Sequence, residues 1–162
     1  MSEFQYYHFE TIDKPLSEKQ QDELRAISSR AEIDDTSFIN EYNFGNFRGN
    51  PDDLMAKYFD AMIYYANYGS QEVRFRFPKS AVNLPAMQQY ECKRVTKITI
   101  AGDFVVLAML QNDQDSGRDF YMGYEKVLPG ILPIRDDILN GDYRSLYISW
   151  LGGVMRDNMD EE

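Results

Sequence analysis

The chain is poor in the side chains that most chemistry at neutral pH relies on. Among 162 residues there is one histidine, His8, and one cysteine, Cys92. A His/Cys metal centre takes about four such ligands, so this chain cannot supply one alone. A Cys–His nucleophilic pair would have to join Cys92 to His8, which lie far apart and sit in no recognisable motif. A lone cysteine makes no internal disulfide, so nothing points to an oxidising compartment. Long apolar runs are missing as well. The longest, residues 104–110, is FVVLAML, far short of the about 20 residues a spanning helix needs. The start, MSEFQYYHFE, lacks the basic stretch and apolar core of a signal peptide. A soluble cytoplasmic protein with no membrane contact and no metal or other cofactor is expected. Positive charge is scarce too, with 17 basic residues against 27 acidic ones and a net charge of −10. That balance opposes phosphate binding over most of the surface, so direct nucleic-acid binding is not expected. It favours basic partners instead.

Aromatic side chains are plentiful: 12 Tyr, 10 Phe and the single Trp150. With 43% hydrophobic residues the chain can bury a sizeable core, which excludes global disorder. One α+β domain is expected over residues 1–156, followed by an acidic tail at 157–162.

Residues 4–12 carry Phe, Tyr, Tyr, Phe and Ile, the composition of a strand, and Pro15 stops it. Ser17 and Gln20 have the spacing of a capping box, and a helix to about Ser29 follows, with Leu24, Ile27 and Ala31 on one stripe. Residues 31–44 read as extended, with a break at Asp34–Asp35. The sequence GNFRG at 45–49 is a loop. Asn50, Pro51 and the acids Asp52 and Asp53 then open a helix. That helix is expected to run to about Asn67 and end at Gly69. Its Leu54, Met55, Tyr58, Phe59, Met62, Ile63 and Tyr65 cover most of its circumference, the mark of a buried central element. Residues 72–77 alternate strictly, with Val73, Phe75 and Phe77 on one face and Arg74 and Arg76 on the other. With 31–44 split in two, this order is the βα(ββ)αβ pattern of a ferredoxin-like sandwich, with 72–77 as its last strand.

A short helix is expected over 83–91, and a hairpin over 94–101 and 104–111 turning at Gly102–Asp103. A polar loop over 112–119 and a third meander strand over 120–124 follow. Pro129, Gly130 and Pro133 predict a turn-rich stretch before a short helix over 134–140. Asp142 caps a final amphipathic helix whose stripe is Tyr143, Leu146, Tyr147, Trp150, Leu151 and Val154. The fold class predicted is therefore α+β: a single-domain sandwich with a hairpin or meander and a C-terminal amphipathic helix.

The stretches IDKPLSEKQQDELRAISSRAEI, SFINEYNFGNFRGNPDDLMAKYFDAMIYYANYGS and LPIRDDILNGDYRSLYISWL carry a resemblance. Together with the Tyr-Tyr-x-Phe start, the glycine loop and the LM-x-x-YFD segment, they resemble a family of uncharacterised bacterial proteins. The likeness covers the first half and about the last 30 residues, and residues 78–122 fall outside it. It implies a soluble bacterial protein and lends no catalytic residue.

Several residues merit consideration as sites. Arg48 in the glycine loop lies before a helix start, where backbone amides favour anions. The spacing is not that of a P-loop, and a plain connector is the expected role. Arg74 and Arg76, with Lys79, Arg94 and Lys97, are the makings of a basic patch. The ordinary alternative is a solvated strand face whose arginines pair with nearby carboxylates. Tyr58, Tyr64, Tyr65, Asp60 and Asn67 carry polar tips that would orient a ligand if their aromatic segment lined a pocket rather than the core. His8 has the reference pKa of a general base, but no Ser lies in a nucleophile elbow. The pairs Asp34–Asp35, Asp52–Asp53 and Asp136–Asp137 point apart as neighbours do and form no site. NDQDSGRD at 112–119 loosely follows a calcium loop, without its bidentate Glu. Trp150 anchors a face that suits another protein chain or this domain's own sheet.

The binding residues nominated are thus Arg48, Asn67, Arg74, Arg76 and Trp150, with no catalytic and no metal-binding residue. The function expected is a non-enzymatic interaction module, an accessory subunit or adaptor with a protein partner or a second copy of itself. The alternatives are a small-ligand binder or enzyme built around residues 45–49, and an acidic mimic of nucleic acid.

Overall fold

The computed structural model describes residues 4–43, 45, 47–112 and 124–160. Among these residues seven strands, β1 (Gln5–Glu10), β2 (Glu32–Ile33), β3 (Ser37–Tyr42), β4 (Ala61–Ala66), β5 (Ser70–Pro78), β6 (Thr96–Ala101) and β7 (Phe104–Asn112), form one sheet. Their order is β2-β3-β1-β4-β5-β7-β6, and every pairing is antiparallel. The helices are α1 (Glu18–Ile27), α2 (Pro51–Lys57), α3 (Leu84–Gln88), α4 (Tyr124–Leu139) and α5 (Arg144–Asp160).

Both faces of the sheet are apolar, and each takes its own helices. Tyr7, Phe9, Phe38, Met62 and Tyr64 meet Leu24 of α1 and Leu54 and Met55 of α2. Tyr6, Ile63, Phe75, Phe77 and Leu107 meet Met87 of α3, Leu128 and Ile138 of α4 and Leu146 of α5. The product is a three-layer sandwich of the α+β class. Its first half, β1-α1-β2-β3-α2-β4, has the element order of a ferredoxin-like unit.

Local signals place most of these elements. The Ser17–Gln20 capping box forms in both directions. Asp34 makes the break between β2 and β3 by accepting the backbone amides of Thr36 and Ser37 at 2.8 and 2.7 Å. Gly102, at φ +61°, turns the hairpin of β6 and β7 where expected.

Four expectations are corrected. The helix opened by Asn50 does not reach Asn67: it stops at Lys57, and residues 61–66 are a strand. That strand, not 72–77, closes the ferredoxin-like unit, and β5 extends the sheet beyond it. A helix apolar all round and a strand covered on both faces produce the same apolar run, and here Ile63, Tyr64 and Tyr65 favour the strand. The prolines at 129 and 133 do not delay the helix either, because α4 runs through both. They lie four residues apart and both are exposed. The carbonyls they leave unpaired therefore sit on one solvated side of the helix. Of the expected strand at 120–124, Tyr124 instead opens α4. The remainder, with nearly all of the calcium-like loop, lies outside the described residues.

Candidate functional site

Arg74 and Arg76 point from β5 onto the face covered by α2, and both are used internally. Arg74 Nε donates to Asp52 Oδ1 at 3.0 Å, and its Nη1 pairs with Glu72. Burial opposes its charge, but Glu72 and Asp52 outweigh burial and hold the guanidinium above its ordinary pKa. Arg76 donates to Asp60 Oδ1 at 3.0 Å and to the Ala56 carbonyl at 3.3 Å. Its guanidinium also lies 4.2 Å from the centre of the Phe104 ring. Strand alternation gave their common face correctly. They pair with carboxylates as the ordinary reading had it, yet under a helix rather than in solvent. Arg94, Lys97 and Lys79 are exposed, so the five do not make one patch.

Arg48 is exposed in its loop. The neighbouring Phe47 anchors that loop, its ring 4.7 Å from Tyr7 within the aromatic core. A Cβ on Gly49 would come within 2.7 Å of the Phe47 ring, which explains the glycine. Asn67 ties the end of β4 to the start of β1: its amide donates to the Phe4 carbonyl at 3.1 Å, and its Oδ1 accepts from Phe4 N at 3.1 Å. Arg76 lies at the opposite end of the sheet, beyond the pairing of Ala61 with Phe75. Arg48, Asn67 and Arg76 are therefore not gathered around one pocket.

A cluster not foreseen from sequence sits at that opposite end. Asp60, 5% exposed, accepts the amide of Ile12 at 2.7 Å besides its bond from Arg76. Arg135 of α4, 2% exposed, donates from Nε and Nη2 to the Arg76 carbonyl at 3.1 and 2.9 Å. Its Nη2 lies 3.5 Å from Asp13 and 3.9 Å from Asp60. These contacts lock α4, the β1–α1 connection and β5 together. The only hint in sequence is one arginine among the apolar positions of residues 131–139.

Among the described residues, exposed large apolar side chains gather on α5. Leu146 and Gly153 face inward, and Ser149 Oγ meets Thr96 Oγ1 at 2.8 Å. The inward stripe is thus partly small and polar; of the predicted apolar stripe Tyr147 and Leu151 turn outward, and Ile148 and Met155 join them there. Tyr147, Ile148, Leu151 and Met155 are 48%, 69%, 38% and 60% exposed. Trp150 is half-buried and stacks on Tyr147 with ring centres 6.0 Å apart. Beside this face runs a groove of about 490 Å³ walled by Val73, Val95, Met109, Ile134, Ile148 and Gly152. None of the described residues lining it is charged. Such a groove can hold an apolar group.

Among the described residues, no three His, Cys, Asp or Glu side chains converge on a point that could hold a metal, and no helix is long and apolar enough to cross a membrane. No family model matches the chain, and neither a curated protein nor a solved structure matches it.

Proposed function

We propose that this protein is a non-enzymatic interaction module, an adaptor or accessory subunit of a bacterial cytoplasmic assembly, and that it binds its protein partner through the outer face of α5. The observation that carries the reading is the contiguous exposure of Tyr147, Ile148, Leu151 and Met155 beside an apolar groove. Single exposed apolar residues are ordinary on any surface, whereas a continuous helical stripe of them marks a contact. Positions 148, 151 and 155 repeat at the spacing of one helix face, which is how a helix presents anchors to a partner. A basic rim on the partner suits a chain of net charge −10.

The test is affinity purification from the native cell with the wild type and with an Ile148→Glu/Met155→Glu variant. Both residues are exposed, so the variant folds with unchanged thermal stability. A stoichiometric partner captured by the wild type and lost from the folded variant supports the reading. A partner retained by the variant, or none captured by the wild type, overturns it.

A further inference from the structure

The two edges of the sheet differ. One is β2, two residues long, and a strand that short offers a neighbour little to pair with. The other is β6, six residues long and bonded along one side only, to β7. In an antiparallel ladder, residues alternately turn both backbone groups toward the neighbouring strand and both away from it. Thr96 exchanges amide and carbonyl with Cys92, at 3.0 Å in both directions, and the Ile98 amide donates to Glu91 Oε1 at 3.1 Å. Thr96, Ile98 and Ile100 are therefore the residues that point away from β7. The Cys92 turn closes the edge at Thr96. Beyond it, no described residue bonds the Ile98 carbonyl or the amide and carbonyl of Ile100. Glu91 is exposed, and its carboxylate occupies the Ile98 amide as the carbonyl of an added strand does.

The two faces of this edge carry different side chains. Ile98, half-buried, and Ile100, 48% exposed, lie on the face that α3, α4 and α5 cover. Lys97 and Thr99 lie on the other face, and both are exposed. Lys93 and Arg94 add exposed cations in the turn that leads into β6. Lys93, Arg94 and Lys97 form no salt bridge with a described residue. Arg94 also holds φ +98°, a backbone region that side chains other than glycine and asparagine seldom enter. Strain of this kind gathers at sites of function. In a chain of net charge −10, the open edge is thus bordered by cations. A lysine on an edge strand discourages indiscriminate pairing, and it selects against a basic strand while favouring an acidic one.

We infer that the free edge of β6 takes up an extended segment of a partner protein as an added strand, and that this segment alternates apolar with acidic residues. Residues directly opposite in a ladder share a face. The apolar ones therefore pack beside Ile98 and Ile100, and the acidic ones beside Lys97 and Thr99. Glu91 returns to solvent as the incoming carbonyl replaces it, and Lys93 and Arg94 draw the segment in. The contact uses none of the residues on the outer face of α5, so it stands or falls separately from that surface.

The probe is a synthetic octapeptide of alternating glutamate and valine, titrated into the intact protein while the backbone amides are followed by heteronuclear NMR. Saturable binding is expected, with shifts at the Ile98 and Ile100 amides and slower hydrogen exchange at Ile100. Ile100→Pro removes the outward amide and leaves the β6–β7 bonds in place, a substitution that edge strands tolerate. It should weaken binding about tenfold or more. The same peptide with every backbone amide methylated should not bind the wild type, a control that needs no variant to fold. A lysine–valine octapeptide should bind about tenfold more weakly than the acidic one. The Ile148→Glu/Met155→Glu variant should bind the acidic peptide as the wild type does. The assignment is overturned by a lack of saturable binding, by equal binding to Ile100→Pro or of the methylated peptide, or by equal binding of the lysine–valine peptide. It is also overturned if the Ile100 amide of the protein alone is protected at high concentration and exchanges freely on dilution, which would give the edge to a second copy of the chain.

Discussion

At the scale of single residues, the buried charges divide into those that can return to water and those that cannot. Asp60 cannot: its side chain is 7% exposed, and Arg76 and the Ile12 amide depend on it. Asp60→Ala strands a buried guanidinium and an amide, and a loss of about 3–5 kcal/mol is expected from urea denaturation. Arg74→Met should cost clearly less. Its partners Asp52 and Glu72 keep 38% and 28% of their side-chain surface exposed and rehydrate when it is gone, while Met fills the space of the arginine stem. Equal losses from the two variants would mean that burial does not rank these pairs. This ranking was not legible in the sequence. Alternation places Arg74 and Arg76 on one face, but what covers that face is α2, whose Asp52 lies 22 residues away. His8 yields a prediction with a definite sign. Burial lowers its pKa from 6.5, with Glu10 and Asp34 pulling the other way. Above pH 6.5 the imidazole is neutral both folded and unfolded and costs nothing. As pH falls through 6.5 toward the lower folded value, the unfolded chain takes up the proton first and stability declines. Urea unfolding between pH 7 and pH 5 should show this decline in the wild type and a flatter curve in His8→Gln. A wild-type curve that rises on acidification would put the shift in the other direction.

At the scale of elements, the sequence was most legible where side chains act on their own backbone. The capping box of α1, the Asp34 turn and the Gly102 hairpin all follow from contacts within a few residues. It was least legible where an element's identity depends on what covers it. Residues 61–66 are a strand because β1 and β5 flank them on either side; in isolation their apolar run suits a helix as well. In α4, Pro129 and Pro133 predict a break, but both face solvent, and a helix whose inner side buries Leu128 and Ile138 tolerates them there. The paired glycines of α5, Gly152 and Gly153, differ in their surroundings. A Cβ on Gly152 meets nothing within 4 Å, whereas one on Gly153 lies 2.7 Å from Cys92 Sγ and 3.0 Å from Val95 Cγ2. Gly152→Ala should therefore stabilise by about 0.5–1 kcal/mol, through helix propensity alone. Gly153→Ala should destabilise by about 1 kcal/mol or more, since the turn before β6 must move aside. Adding Cys92→Ala should recover part of that loss. Denaturation midpoints of the three variants check this, and a stabilising Gly153→Ala would show that α5 does not press on that turn.

At the scale of the whole molecule, two features act against each other. A net charge of −10 keeps copies apart, while the outer face of α5 leaves Tyr147, Ile148, Leu151 and Met155 in water. Burying each Å² of that face is worth about 25 cal/mol, but bringing two copies together also brings their charges together. Salt decides the balance, because the screening length falls from about 10 Å at 0.1 M to about 3 Å at 1 M. Screening weakens the repulsion and leaves the apolar attraction intact. The purified protein alone should therefore sediment as a monomer at low salt and associate increasingly as salt rises. The Ile148→Glu/Met155→Glu variant should stay monomeric throughout, since each substitution removes apolar area and adds charge where two helices would meet. The opposite dependence, a mass that falls with added salt, would place the contact among charged groups instead. It would also move the search for a partner surface from α5 to the acidic faces of the sandwich. Salt thus separates an apolar, local contact from a charged, diffuse one.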